Sequence, residues 1–190
     1  MQQQRGFIVG LIGLLWTTGA AAAPVHHSLE VTLQPGTAGI EVRDSVSLPP
    51  DHPPSLTFSL HPALTPTLPD GNARLVELAP QTDRNQPVMQ AAAGSAPRRY
   101  RLELAPGENS FTLHYTGSIA HALQNRGEEY ARSFQETRGI ISAQGVFLSG
   151  ASLWYPQLDD TQLTFDLVVH LPKAWKGMSQ GKLLNTGPAT

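Results

Sequence analysis

The sequence predicts a mostly β protein, built as a sandwich of antiparallel sheets with one irregular or short helical excursion. Three observations carry that expectation. At least six runs alternate apolar with polar residues, clusters of Pro and Gly punctuate them, and only two regions interrupt the rhythm. A strand sends successive side chains to opposite faces, so alternation marks half-buried strands, and short strands joined by turns assemble into sandwiches.

The first element is a leader rather than a strand. Arg5 precedes the apolar run "FIVGLIGLLW" from Phe7 to Trp16, and "TTGAAAAP" supplies small residues at its exit. A charged start, a short apolar middle and a small-residue exit describe a secretory signal peptide, residues 1–22, cut after Ala22 or alternatively after Ala23. The run falls short of the roughly 20 apolar residues a membrane-crossing helix takes, so no stable membrane span is expected. With no cysteine in the chain, a lipid-anchored lipoprotein is excluded as well. The expected destination is the periplasm or the extracellular space, with 24–190 forming one domain.

The strands follow in order. "HSLEVTLQP" alternates at Leu29, Val31 and Leu33, and "GIEVRDSVSLPP" at Ile40, Val42, then Val46 and Leu48. "SLTFSL" does so at Leu56, Phe58 and Leu60, and "RYRLELAP" at Tyr100, Leu102 and Leu104. "FTLHY" gives Phe111, Leu113 and Tyr115; "LTFDLVVHLP" gives Leu163, Phe165, Leu167, Val169 and Leu171. Between them, "QPGTAG", "LPPDHPP", "LPDGNA" and "APGENS" concentrate residues that preset or tolerate turn geometry. The interruptions are a polar loop from Ala79 to Pro97 and the segment Gly117 to Ile140, where Glu128 and Arg132 have the favourable i,i+4 order for a short helix.

Composition narrows function. Charged residues are 15% of the 190 and the net charge is -2, which gives no electrostatic footprint for nucleic acid or an anionic membrane surface. The absence of cysteine excludes disulfides, thiolate metal sites and cysteine nucleophiles. No H-E-x-x-H zinc helix and no phosphate-binding glycine loop occurs. His26 and His27 are adjacent and point to opposite faces of a strand, which argues against joint ligation. His114 and His170 fall on polar strand faces, and His121 has no partner at metal-ligand spacing. "LSGAS" lacks the nucleophile elbow, so Ser149 and Ser152 read as hydrogen-bonding turn residues. Asp159 and Asp160 point apart on an extended segment and read as turn-closing aspartates rather than an acid and base.

The stretch "YPQLDDTQLTFDLVVHLP", Tyr155 to Pro172, resembles a segment of the zinc aminopeptidases of the membrane alanyl aminopeptidase family: an aromatic–proline pair, an acidic turn and a strand of the T-F-x-L type. "VRDSVSLP" and "FTLHYTGSI" are similar to earlier strands of the same region, so the likeness spans Leu29 to Gln180. It implies the N-terminal β domain of that family, a saddle-shaped set of sheets packing on a catalytic domain. By this resemblance Trp154, Tyr155, Pro156, Asp159 and Asp160 build scaffold, and the chain holds no catalytic residue and no metal ligand. Zinc is expected in the downstream catalytic domain, following Thr190 in a longer protein, with a peptide as the shared substrate.

The chain departs from the family at two positions. Where members carry a glutamate or glutamine that binds the substrate's amino group, nine residues before the proline, this chain has Phe147; an arginine position is Ser152. Phenylalanine accepts no hydrogen bond from an ammonium group, so either the substrate-binding site, Gln144 and Phe147, is shifted to use Gln144 as the substitute, or this relative does not use ordinary aminopeptidase recognition. The alternative expectation is a stand-alone secreted β-sandwich that binds a protein or glycan through Phe147, Trp154 and Tyr155, with the two adjacent aromatics facing opposite sides of a strand.

Overall fold

The computed structural model describes residues 23–71, 73–79, 96–121, 139–159 and 161–184. The expected leader, most of the 79–97 loop, most of the 117–140 excursion and Asp160 lie outside these residues.

Each alternating run is a strand. β1 spans Val25–Gln34 and buries Val25, His27, Leu29, Val31 and Leu33. A one-turn 3-10 segment, Pro35–Thr37, reverses the chain into β2, Gly39–Ser47, with Ala38 in the left-handed region at φ 56°. β3 is Ser55–Leu60, β4 Leu64–Thr67, β5 Ala73–Glu77, β6 Arg98–Leu104 and β7 Ser110–Ser118. β8, Ile140–Ser142, and β9, Gly145–Phe147, form a hairpin. A 3-10 turn at Gly150–Ser152 precedes β10, Gln157–Leu158, and β11, Leu163–His170.

The strands make a five-stranded sheet, β11-β1-β2-β7-β4, a four-stranded sheet, β10-β3-β6-β5, and the small hairpin. The fold is mostly β and sandwich-like, with one apolar cluster drawing Val31, Val42 and Leu113 from one sheet and Phe58, Leu60 and Leu102 from the other. Burying a side chain such as Phe58 or Leu102 contributes about 1.5–3 kcal/mol, so this shared core holds the sheets together.

Short elements escaped the alternation pattern for local reasons. β4 contains Pro66, which donates no ladder hydrogen bond and is tolerated because β4 is a sheet edge. β5 places Leu75 and Val76 side by side, and β8 and β9 are three residues each. One pairing departs from the antiparallel expectation: β1 and β11 run parallel, from Val25 opposite Leu163 to Thr32 opposite His170. Parallel neighbours need a long crossover, and here the intervening β2 to β10 supply it.

Gly117 on β7 marks a close backbone approach. A Cβ there would stand 2.0 Å from the carbonyl oxygen of Ala63, just before β4, so only glycine fits without a shift.

Candidate functional site

The β8–β9 hairpin is the most exposed part of the scaffold that carries expected site residues. Its turn closes when the Ser142 hydroxyl donates to the Gly145 carbonyl at 3.0 Å and accepts the Gly145 N–H at 3.3 Å. Ala143 and Gln144 are exposed at the tip. Ile141 turns inward and is buried, while Phe147, opposite Ile140, is 55% exposed. The hairpin is moored by the Ile141 N–H donating to the Ile119 carbonyl at 2.8 Å and by a bridge between Ala120 and Ile140. Gln144 and Phe147 therefore share one projecting element, with polar amide and aromatic ring both open.

Behind the hairpin, the aromatic–proline segment is wedged into the fold. Ser152 is buried and donates its hydroxyl to the Ser149 carbonyl, as expected of a turn residue. Leu153 takes φ 53°, and its carbonyl accepts the His61 N–H at 2.8 Å. Trp154 and Tyr155 are both half-buried and pack edge to face, ring centroids 5.1 Å apart. They lie on an irregular stretch between Leu153 and the buried Pro156, not on a strand, so they do not face opposite sides. Of the three aromatics singled out from the sequence, Phe147 alone is exposed.

Asp159 is exposed and forms an ion pair with Arg99 on β6, while its N–H donates to the Thr57 carbonyl at 3.2 Å. The carboxylate thus clamps β10 onto the four-stranded sheet instead of closing its own turn. Asp160 lies outside the described residues.

A buried polar group lies on the inner face of the five-stranded sheet. His27 and Asp44 are both fully buried, and Nδ1 of His27 lies 2.8 Å from Oδ2 of Asp44. His27 faces Val46 and Asp44 faces Leu29 across the β1–β2 ladder, so the two are diagonal neighbours on the inner face. Burial raises the Asp44 carboxyl above the ordinary carboxylate value, opposed by the hydrogen bond and charge of His27 and by the charge of His26. Tyr115 on β7 is buried nearby; its phenol is pushed well above the usual value by burial, then by Asp44 and Tyr155. Tyr155 closes the group, its ring 6.0 Å from that of His27 and edge-on. Nε2 of His27, Oδ1 of Asp44 and the Tyr115 hydroxyl have no hydrogen-bond partner among the described residues.

A signal for this pair was present. His27 occupies the phase of Val25, Leu29 and Val31, and Asp44 that of Ile40, Val42 and Val46; a polar residue in an apolar phase is the mark of a buried pair. Fully removed from solvent, the pair bridges β1 and β2 and stands against the Tyr155 ring.

The other histidines sort themselves by partner. His26 meets Thr164 at 2.9 Å and Asp166 at 3.5 Å, on the face opposite His27. His170 pairs with Glu30 at 3.1 Å and His114 with Glu41 at 3.0 Å, both on the outer, polar sheet face. His52 links the carbonyls of Pro53 and Glu108. His121, which has no partner at ligand spacing in sequence, meets His61 across a separation of 60 residues, Nε2 to Nε2 at 2.8 Å. Among the described residues no three His, Asp or Glu side chains converge in a way that could hold a metal ion. No described helix is long and apolar enough to cross a membrane.

Comparison of the chain with protein-family models, with curated proteins and with solved structures finds no match. What fold and site define together is a mostly β protein that presents a polar–aromatic hairpin on a tightly packed scaffold.

Proposed function

We propose that this chain is the non-catalytic N-terminal β domain of an exported zinc aminopeptidase-like protein, packing on its own downstream catalytic domain and forming part of the substrate cleft. The observation that carries the reading is the β8–β9 hairpin, which offers the exposed Gln144 amide beside the open ring of Phe147. An amide oxygen accepts hydrogen bonds from an ammonium group, the chemistry a free peptide N-terminus requires. Trp154, Tyr155 and Pro156 pack against the core or within it, which suits scaffold. Zinc and the general base belong to the catalytic domain in this reading, where zinc supplies Lewis-acid activation of water.

The stand-alone binding module draws less support, since Trp154 and Tyr155 spend their faces on each other and on the core. The reading frame beyond the Thr190 codon decides between the two. An open frame encoding H-E-x-x-H with a further glutamate supports the peptidase reading. A stop codon there refutes it.

A further inference from the structure

Four strands lie at the edges of the two main sheets, β11 and β4 in one, β10 and β5 in the other. An edge strand presents unpaired backbone groups to any passing chain, and proteins blunt it with brevity, proline or charge. β10 has two residues, β4 has four with Pro66 among them, and β5 has five with Arg74 and Glu77. β11 has eight, without proline, lysine or glycine, and its one carboxylate, Asp166, lies on the outer face beside His26. No described strand pairs with its side away from β1.

The ladder with β1 fixes which groups line that open edge. The Val25 N–H donates to the Gln162 carbonyl at 2.9 Å, and Val25 stands opposite Leu163 in the parallel pairing. In a parallel ladder a residue bonds to the two neighbours of the one it faces, so Thr164, Asp166 and Val168 turn their backbone groups toward β1. Leu163, Phe165, Leu167 and Val169 turn theirs outward. The side chains of those four lie on the inner face and are half-buried, whereas Val25, Leu29 and Val31 of β1 are buried. The margin of the sheet thus offers a row of backbone donors and acceptors alongside a row of partly covered apolar side chains.

The strand is complementary to itself. Across a two-fold axis perpendicular to the sheet, opposed residues share a face, so the axis passes through one residue of the strand. Centred on Asp166, the pairing sets two carboxylates directly opposite each other in a non-hydrogen-bonded pair, where side chains are closest. Centred on Phe165 it pairs only Leu163–Leu167, and centred on Val168 only Asp166–His170. Centred on Leu167 it pairs Thr164–His170, sets Phe165 against Val169 and Leu167 against itself on the inner face, and gives each Asp166 the exposed Val168 of the other copy.

We infer that β11 is a dimerisation strand, two copies of the chain adding edge to edge and antiparallel about Leu167 so that their five-stranded sheets become one. This goes beyond the substrate-cleft reading and does not rest on it, since Gln144 belongs to the separate β8–β9 hairpin.

The chain has no cysteine, so one introduced thiol reports the register. Leu167 meets its own copy in a hydrogen-bonded pair, with Cα atoms about 5.5 Å apart and within disulfide reach. Val168 meets Asp166, which carries the two Val168 residues away from each other. Sedimentation of the full wild-type chain should show a dimer fraction that grows with concentration, with hydrogen-exchange protection at the Phe165 and Leu167 amides rising in step. Under mild oxidation Leu167→Cys should cross-link about tenfold faster than Val168→Cys, although Val168 is the more exposed side chain. A wild-type chain still monomeric at about 100 μM overturns the dimer. So does a dimer that leaves the Phe165 and Leu167 amides unchanged, or one in which Val168→Cys cross-links as fast as Leu167→Cys. A monomer whose Phe165 and Leu167 amides are already protected means that another segment fills the edge, and it overturns the inference as well.

Discussion

His27 and Asp44 are hydrogen-bonded at 2.8 Å on an otherwise apolar sheet face, one residue from each of two adjacent strands and neither with any solvent exposure. Each group is tolerable there only because of the other. Asp44→Ala leaves a buried imidazole without its partner and is expected to destabilise the fold by about 3–5 kcal/mol. The double change His27→Leu with Asp44→Leu should cost less than the sum of the two single changes. Urea denaturation of the four proteins in a double-mutant cycle measures this, and strict additivity would contradict it.

Gly117→Ala should destabilise by about 1–3 kcal/mol, because the new methyl meets the Ala63 carbonyl oxygen and β4 must move off β7. Gly145→Ala provides the contrast. Nothing lies within 4 Å of a Cβ at that position, so its stability should stay within about 0.5 kcal/mol of the parent chain. Thermal melts of both variants report the difference.

Tyr100 and Tyr115 carry buried hydroxyls with no hydrogen-bond partner among the described residues. The Tyr100 phenol is pushed up to about 12, chiefly by burial. A phenol whose folded value exceeds its unfolded value favours the fold fully below the unfolded value, near 10, and loses that contribution as pH rises toward the folded one. Absorbance titration of tyrosinate should therefore show Tyr100 resisting ionisation above its ordinary range, with the resistant fraction reduced in Tyr100→Phe. Tyr115→Phe should be neutral or stabilising, since it removes a desolvated hydroxyl that makes no hydrogen bond among the described residues.

Gln144→Ala should leave the stability of the chain within about 0.5 kcal/mol, because the residue sits exposed on a hairpin tip. Under the proposed peptidase reading, the same change in a protein that joins this chain to a catalytic domain should raise KM for substrates with a free amino terminus about tenfold, the effect of losing one hydrogen bond to a charged group. Acylated substrates, which lack that ammonium, should be indifferent to it.

The long strands were legible because apolar alternation is a one-dimensional record of a two-faced sheet. Leu29, Val31 and Leu33 announce β1, and Phe111, Leu113 and Tyr115 announce β7. Asp44 was missed because alternation was read from apolar residues alone, although its phase places it with Val42 and Val46. The parallel partner of β1 was not legible, since alternation identifies strands and not their neighbours. Gln144 was reached through a resemblance rather than a periodicity, as three-residue strands are too short to carry one. His121 and His61 are far apart in sequence, and local spacing rules do not reach that distance.

The clasp between β1 and β11 sets an order on folding. His26 and its partner Thr164 are separated by 138 residues, so the sheet edge closes across almost the whole described chain. During synthesis β1 emerges early and waits for β11, leaving an apolar-faced strand with one side unsatisfied until β11 is made. Such long-range closure raises the sequence separation of the fold's contacts, which favours slow folding. A nascent chain halted before Leu163 should be the form that chaperones hold.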